Sequence, residues 1–138
     1  ETHLIPLAIK SGFNKDYILK IFGSDFNTPD GTAIRDYIHV NDLAEAHYLS
    51  LENLLNKKKS DFINLGSGVG FSVLEIIDIL RNQGINIKYE IQNKRDGDPP
   101  KLLADNTKAA EVLNWAPSYD IEKTLFSAHS WYKKINSI

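Results

Sequence analysis

Apolar residues along this chain come in short runs whose spacing shifts between alternation and a three-to-four-residue period, so the pattern predicts small strands threaded between helices. Leu4 to Ser11 is apolar and helix-compatible, with Pro6 tolerable near a first turn and Gly12 placed to end the helix. Tyr17 to Phe22 reads as a short strand that stops at Gly23. Asn27-Thr28-Pro29-Asp30-Gly31 is a turn, because proline presets φ and glycine accepts the positive φ that follows. The next strand is Ile34 to Val40, closed by Asn41-Asp42. Alternation sets Ile34, Asp36, Ile38 and Val40 on one face and Arg35, Tyr37 and His39 on the other.

Asn41 or Asp42 is then the expected cap of a helix whose Leu43, Ala46, Tyr48, Leu51, Leu54 and Leu55 form an apolar stripe. Lys57-Lys58-Lys59 reads as a solvated linker. Phe62 to Leu65 is expected to be a short buried strand, and a Gly-Ser-Gly-Val-Gly loop leads from it into a helix that Gly84 stops. Ile87 to Ile91 alternates as another strand. Lys94 to Pro100 is a charged loop that suits neither helix nor strand. Asp105 is expected to cap a short helix to Leu113, closed by Trp115-Ala116-Pro117. Asp120 begins the last helix, with Leu125, Ala128, Trp131 and Tyr132 toward the core and lysines at its end. The fold class is therefore α/β, in an α+β-like form: one small mixed domain of short strands and helices.

Composition narrows the partners more than the fold. A chain of 138 residues suffices for one domain and is too short for two ordinary ones. With 16 basic and 18 acidic residues the formal charge is -2, which argues against a nucleic-acid partner held by phosphate neutralisation. No run approaches the apolar length of a membrane span. Cysteine is absent, which excludes disulfides and cysteine-rich metal sites. Methionine is absent too, and the chain begins at Glu1, so the sequence is expected to be a processed or excised C-terminal part of something longer.

The densest chemistry lies between Phe22 and His47, FGSDFNTPDGTAIRDYIHVNDLAEAH. Arg35 suits a planar, bidentate grip on phosphate or carboxylate. By pattern alone it suits a pairing with a neighbouring aspartate equally well, with Tyr37 as ordinary strand packing. Two other motifs are decoys. Gly66-Ser67-Gly68-Val69-Gly70 sits where a dinucleotide loop would, but Phe71 occupies the last glycine position, and Glu90 is only a loose candidate for the ribose acid. Tyr119 and Lys123 match YxxxK, but Tyr119 precedes the expected cap Asp120, so the two are not one turn apart within a helix.

The Phe22 to His47 stretch resembles the substrate-domain signature of UDP-glucose 4-epimerases, in the extended short-chain dehydrogenase/reductase superfamily. That pattern is close to FGxDYxTxDGTxxRDYIHVxDLAxAH, and the main departure is Phe26 for the usual tyrosine. The similarity runs from about His3 to Trp131. It implies that His3 and Leu4 contact substrate, and that Lys20, Ile21 and Phe22 lie along the uracil with Phe22 stacked near the base. It implies a diphosphate arginine at Arg35 with Tyr37 beside it. Arg95-Asp96-Gly97-Asp98 matches the family's R-x-G-D, implying a second diphosphate arginine at Arg95 and a ribose acceptor at Asp98. Leu102 matches a position near the sugar whose size bears on whether an N-acetyl group fits, and leucine leaves that open. His39 is then better read as packing at the strand end than as an acid-base group.

By this resemblance the chain is the UDP-hexose-binding domain, residues 1–138, of a parent protein whose NAD-binding Rossmann domain lies upstream and outside it. The parent would interconvert UDP-glucose and UDP-galactose through a transient 4-keto sugar, in galactose metabolism. It would be a cytoplasmic homodimer, with no catalytic residue, cofactor-binding residue or metal ligand in this chain. The chain alone would be inactive, and faces that pack on the cofactor domain would be exposed. A sibling epimerase or dehydratase on the same scaffold, or a non-catalytic UDP-binding module, remain the alternatives.

Overall fold

Among the described residues, 3–58 and 60–137 of a computed structural model, five helices are interleaved with five short strands. Glu1, from which the expectation of an excised piece starts, and Lys59 of the expected linker lie outside the described residues. The class is α/β, as the pattern predicts.

Helix α1, Leu4–Phe13, runs past its expected stop, and Asn14 is its C-cap. Gly12 lies inside this helix because a Cβ there would collide with Ile85. Here the small residue permits a close approach and does not end the helix. Strand β1, Leu19–Phe22, buries Leu19 and Ile21 and turns Lys20 and Phe22 the other way. It pairs in parallel with β4, Tyr89–Gln92, with Leu19 opposite Tyr89 and Phe22 opposite Gln92. Ser11, buried in α1, donates its hydroxyl to Lys88 O at 2.7 Å and so ties the helix to this ladder. Both strands are shorter than the runs from Tyr17 and Ile87 that predict them.

The second sheet is built on β2, Ile34–Asp36, flanked by β3, Gly70–Ser72, antiparallel to it, and β5, Lys101–Leu102, parallel to it. The predicted strand to Val40 stops early. Helix α2, Val40–Lys57, already starts at Val40, because the His39 ring accepts a hydrogen bond from Asn41 N at 3.0 Å and caps it. His39 is the cap in place of Asn41 or Asp42. Asp42 lies buried in the first turn and accepts from Ser118 N, Ser118 Oγ and Tyr119 N, which pins the loop before the last helix. Helix α2 extends through Lys57 with Lys58 as its C-cap, so these two residues of the expected linker belong to the helix end.

Helix α3, Val73–Asn82, opens on a capping box in which Ser72 and Glu75 satisfy each other's backbone amides. Helix α4, Thr107–Leu113, has Asn106 at its N-cap, one residue later than expected, although Asp105 still accepts from Thr107 N. Helix α5, Ile121–Asn136, is capped by Asp120, whose side chain accepts from Lys123 N. The last-helix expectation fails at Trp131, which is 60% exposed, while Leu125 is buried.

Two cores result. The larger joins α1, β1, α3, β4 and α5 through residues such as Ile9, Ile21, Ile76, Leu80 and Leu125. The smaller is Ala46, Ala109, Leu113 and Trp115, between α2 and α4. Most of the predicted α2 stripe points outward, with Tyr48, Leu51, Leu54 and Leu55 exposed. Phe62 to Leu65 is not a strand, and Phe62 is 94% exposed. A strand needs a partner for its backbone groups, and among the described residues none lies alongside.

Candidate functional site

The larger core and the β3-β2-β5 sheet meet at a cleft of about 230 Å³ lined by Leu4, Lys20, Ile21, Phe22, Arg35, Tyr37, Arg95 and Asp98. These are eight of the residues singled out in the sequence, drawn from α1, β1, β2 and the loop before β5. Their convergence comes from the two ladders. Leu19 N donates to Lys88 O and Gly23 N to Gln92 O, so β1 spends alternate backbone groups on β4. The backbone groups of Lys20 and Phe22 therefore turn to the other edge, where no strand pairs among the described residues. That edge offers donors and acceptors to a planar polar ring lying beside it.

Arg35 is aimed by its backbone surroundings. Its Nη1 donates to Ile34 O at 2.8 Å and to Pro99 O at 2.9 Å, and its Nη2 lies 3.7 Å from Asp98 Oδ1. The aspartate it meets is thus the one predicted to accept from a ribose, sixty-odd residues away. Arg95 makes no ion pair with Asp96. Its guanidinium lies 3.9 Å from the centroid of the Phe22 ring, a cation–π contact. Lys94 pairs with Asp25 at 2.9 Å, which ties the same loop to the turn after β1 and lowers the Asp25 carboxyl. Burial pushes the Tyr37 phenol up to about 12, with the charge of Arg35 acting weakly against it, so Tyr37 stays a neutral hydrogen-bonding group.

Two predicted residues lie apart from this cleft. His3 is exposed at the N-cap of α1, next to Leu4, with no side-chain capping bond. Leu102 faces a neighbouring hollow that shares Arg35, and it stands opposite Arg35 in the β2–β5 register. The alternation that grouped His39 with Arg35 and Tyr37 breaks where β2 ends. His39 turns inward, 2.9 Å from Ser127 Oγ, with Tyr119 stacked on its ring at 3.9 Å.

Both decoys resolve. Ser67 N and Gly68 N of the glycine-rich loop point at the Asp36 carboxylate, an anion already in place, so this loop does not fit a dinucleotide pyrophosphate. Tyr119 lies outside α5. Sequence reasoning missed Asp36, which it assigned to the opposite strand face with no role, and missed the Pro99 carbonyl that seats Arg35. No local signal marked Asp36, because its donors lie more than thirty positions away in the chain.

The chemistry is that of a grip. Two guanidiniums from separate segments suit a diphosphate without a metal, a carboxylate suits vicinal hydroxyls, and Phe22 with a free strand edge suits a base. At about 230 Å³ the cleft is smaller than the range of roughly 300–1,000 Å³ common for sites that enclose a ligand, so it forms one wall.

The family model described as GDP-mannose 4,6 dehydratase matches residues 22–127. A UDP-glucose 4-epimerase of Lactobacillus helveticus is 44% identical over 135 residues, covering 96% of this chain and 41% of that relative. The crystal structure of a UDP-glucose 4-epimerase from Stenotrophomonas maltophila, with bound NAD and formylated UDP-arabinopyranose, superposes with a TM-score of 0.94 at 33% identity, covering 99% of this chain and 41% of that one. One from Bifidobacterium longum, in complex with NAD+ and UDP, gives a TM-score of 0.85 at 34% identity, covering 97% and 40%. The chain thus spans about 41% of the length of such relatives.

Proposed function

The chain belongs to the GDP-mannose 4,6-dehydratase family, and from that premise we propose that it is the substrate-holding part, residues 1–138, of an NAD-dependent UDP-glucose 4-epimerase. The observation that carries this reading is the meeting of Phe22, Arg35, Arg95 and Asp98 in one cleft, although the first and last are far apart in sequence. In this reading Arg35 and Arg95 clamp the diphosphate, Asp98 accepts from the ribose hydroxyls, and the uracil lies along Lys20, Ile21 and Phe22. Tyr37 supports the phosphate end, His3 and Leu4 close the site from α1, and Leu102 borders the sugar.

Arg95 leaves the Phe22 face and Asp98 leaves Arg35 when the nucleotide enters, so both arginines exchange an internal contact for the ligand. NAD supplies the oxidation and reduction at the sugar and is held by a Rossmann domain outside this chain. The exposed α2 face and the unpaired Phe62 to Leu65 segment are the surfaces on which that domain packs. The parent is a cytoplasmic homodimer acting in galactose metabolism. No helix among the described residues is long and apolar enough to cross a membrane.

Calorimetry with UDP tests the grip. Arg35→Ala is expected to cost about 2–3 kcal/mol of binding, roughly 30- to 150-fold in affinity. Affinity unchanged by that substitution sinks the clamp. The purified chain alone is expected not to interconvert UDP-glucose and UDP-galactose, and detectable turnover overturns the division of labour.

A further inference from the structure

Asp36 follows the clamp arginine in sequence but makes no ion pair with it; Arg35 is seated by Ile34 O, Pro99 O and Asp98. The Asp36 carboxylate is engaged elsewhere. Its Oδ1 accepts from Ser67 N at 2.8 Å and from the Ser67 hydroxyl, and its Oδ2 accepts from Gly68 N at 3.1 Å and Ala104 N at 3.2 Å. Two remote segments therefore meet on one side chain: the loop entering β3, and the chain leaving β5 just after Leu102. The fit is close, since a Cβ at Gly66 would collide with both Asp36 and Ala104.

An ionised carboxylate offers acceptors on both oxygens and donates nothing, and hydrogen bonds to it are roughly twice as strong as neutral ones. Here every donor aims at an acceptor. An amide in its place sets an NH₂ group against Ser67 N in one orientation and against both Gly68 N and Ala104 N in the other, while the Ser67 hydroxyl can turn to Val69 O. The base end of the cleft is built without Asp36: Lys20 and Phe22 lie on β1, held by the β4 ladder and by the buried Leu19 and Ile21.

We propose that Asp36 is a positioning residue that sets the sugar end of the site, by fixing the Leu102 to Ala104 segment and the Gly66 to Gly68 loop to one another. This rests on the nucleotide-sugar reading above and adds a division within it. The nucleotide is gripped by parts that stand independently, whereas the fit of the hexose depends on one carboxylate.

The full-length protein carrying this chain provides the test, with UDP as competitive inhibitor and UDP-glucose as substrate. Asp36→Asn is expected to leave the inhibition constant for UDP within about threefold of wild type and to lower kcat/KM for UDP-glucose by about tenfold or more. A parallel loss of both marks a merely structural role and overturns the proposal, as does no change in either. Ser67→Ala removes only the hydroxyl donor and leaves the amide bonds in place. It is expected to shift the same ratio in the same direction by a smaller factor, and this decides the matter if Asp36→Asn does not fold. A wild-type protein that neither binds UDP nor turns over UDP-glucose overturns the underlying reading, and the proposal with it, before any variant is compared.

Discussion

The larger core and the smaller one are built from helices that look alike in sequence, yet they close to different degrees. Around Ile76, Ile77 and Leu125, three helices and a two-stranded ladder surround the apolar side chains on all sides. Around Ala46 and Trp115, α2 and α4 cover only one flank, and α2 carries Tyr48, Leu51 and Leu55 on its outer side at 61%, 54% and 66% exposure. The difference teaches that an amphipathic stripe records a face to be buried and not the partner that buries it. The first region finds its partners within the chain. The second presents a surface larger than the described residues cover, beside a backbone segment at Phe62 to Leu65 with no neighbouring strand among them.

Substitutions can break this contrast. The largest effect is expected in the closed core, where Ile76→Ala should lower unfolding free energy in denaturant titrations by about 3–4 kcal/mol through lost burial and a residual cavity. Leu51→Ala on the outer face of α2 should stay within about 0.5 kcal/mol in the same assay. Equal losses at the two positions would abolish the distinction. Next comes the link between the regions: Asp42→Ala leaves Ser118 N and Tyr119 N without their buried acceptor, and about 2–3 kcal/mol should be lost. A smaller effect, about 1–2 kcal/mol, is expected for His39→Ala, which removes the α2 cap, and His39→Asn should restore most of it.

The smallest effect is a pH dependence at the turn that joins the closed core to the site. Burial opposes the charge of Asp30, but hydrogen bonds from Ser72 Oγ, Thr32 N and Thr32 Oγ1 outweigh it and hold the carboxyl below its ordinary value. A depressed carboxylate stabilises the fold above the unfolded value of about 3.9 and loses that contribution as pH falls through the folded value. Wild type should therefore lose more stability than Asp30→Asn on acidification below about pH 4, as thermal unfolding at a series of pH values can check. Equal losses in the two proteins would remove Asp30 from the turn's stability.

Much of the candidate site came from the motifs that carry the resemblance, and the unread part has one physical cause. Phe22, Arg35, Arg95 and Asp98 were singled out through the resemblance of two motifs to a family signature, whereas by residue type alone Arg35 suited an aspartate pairing equally well. Their pairings were not legible, since Arg95 could meet Phe22, and Arg35 could meet Asp98, only after the β1-β4 and β3-β2-β5 sheets brought their residues to one cleft. Asp36 was invisible for the same reason: its three donor residues lie more than thirty positions away.

What the amino-acid order determined by itself was local. The Asp120 cap and the Pro29-Asp30-Gly31 turn depend on contacts within four residues, and each formed where the pattern puts it; the Ser72–Glu75 capping box is local in the same way. Tertiary structure alone decided which faces of α2 and α5 are covered, and which oxygen receives each loop amide. Those outcomes depend on what lies opposite in space. Burial and hydrogen-bond satisfaction are properties of a pair of surfaces, and one stretch of sequence specifies only one of the two.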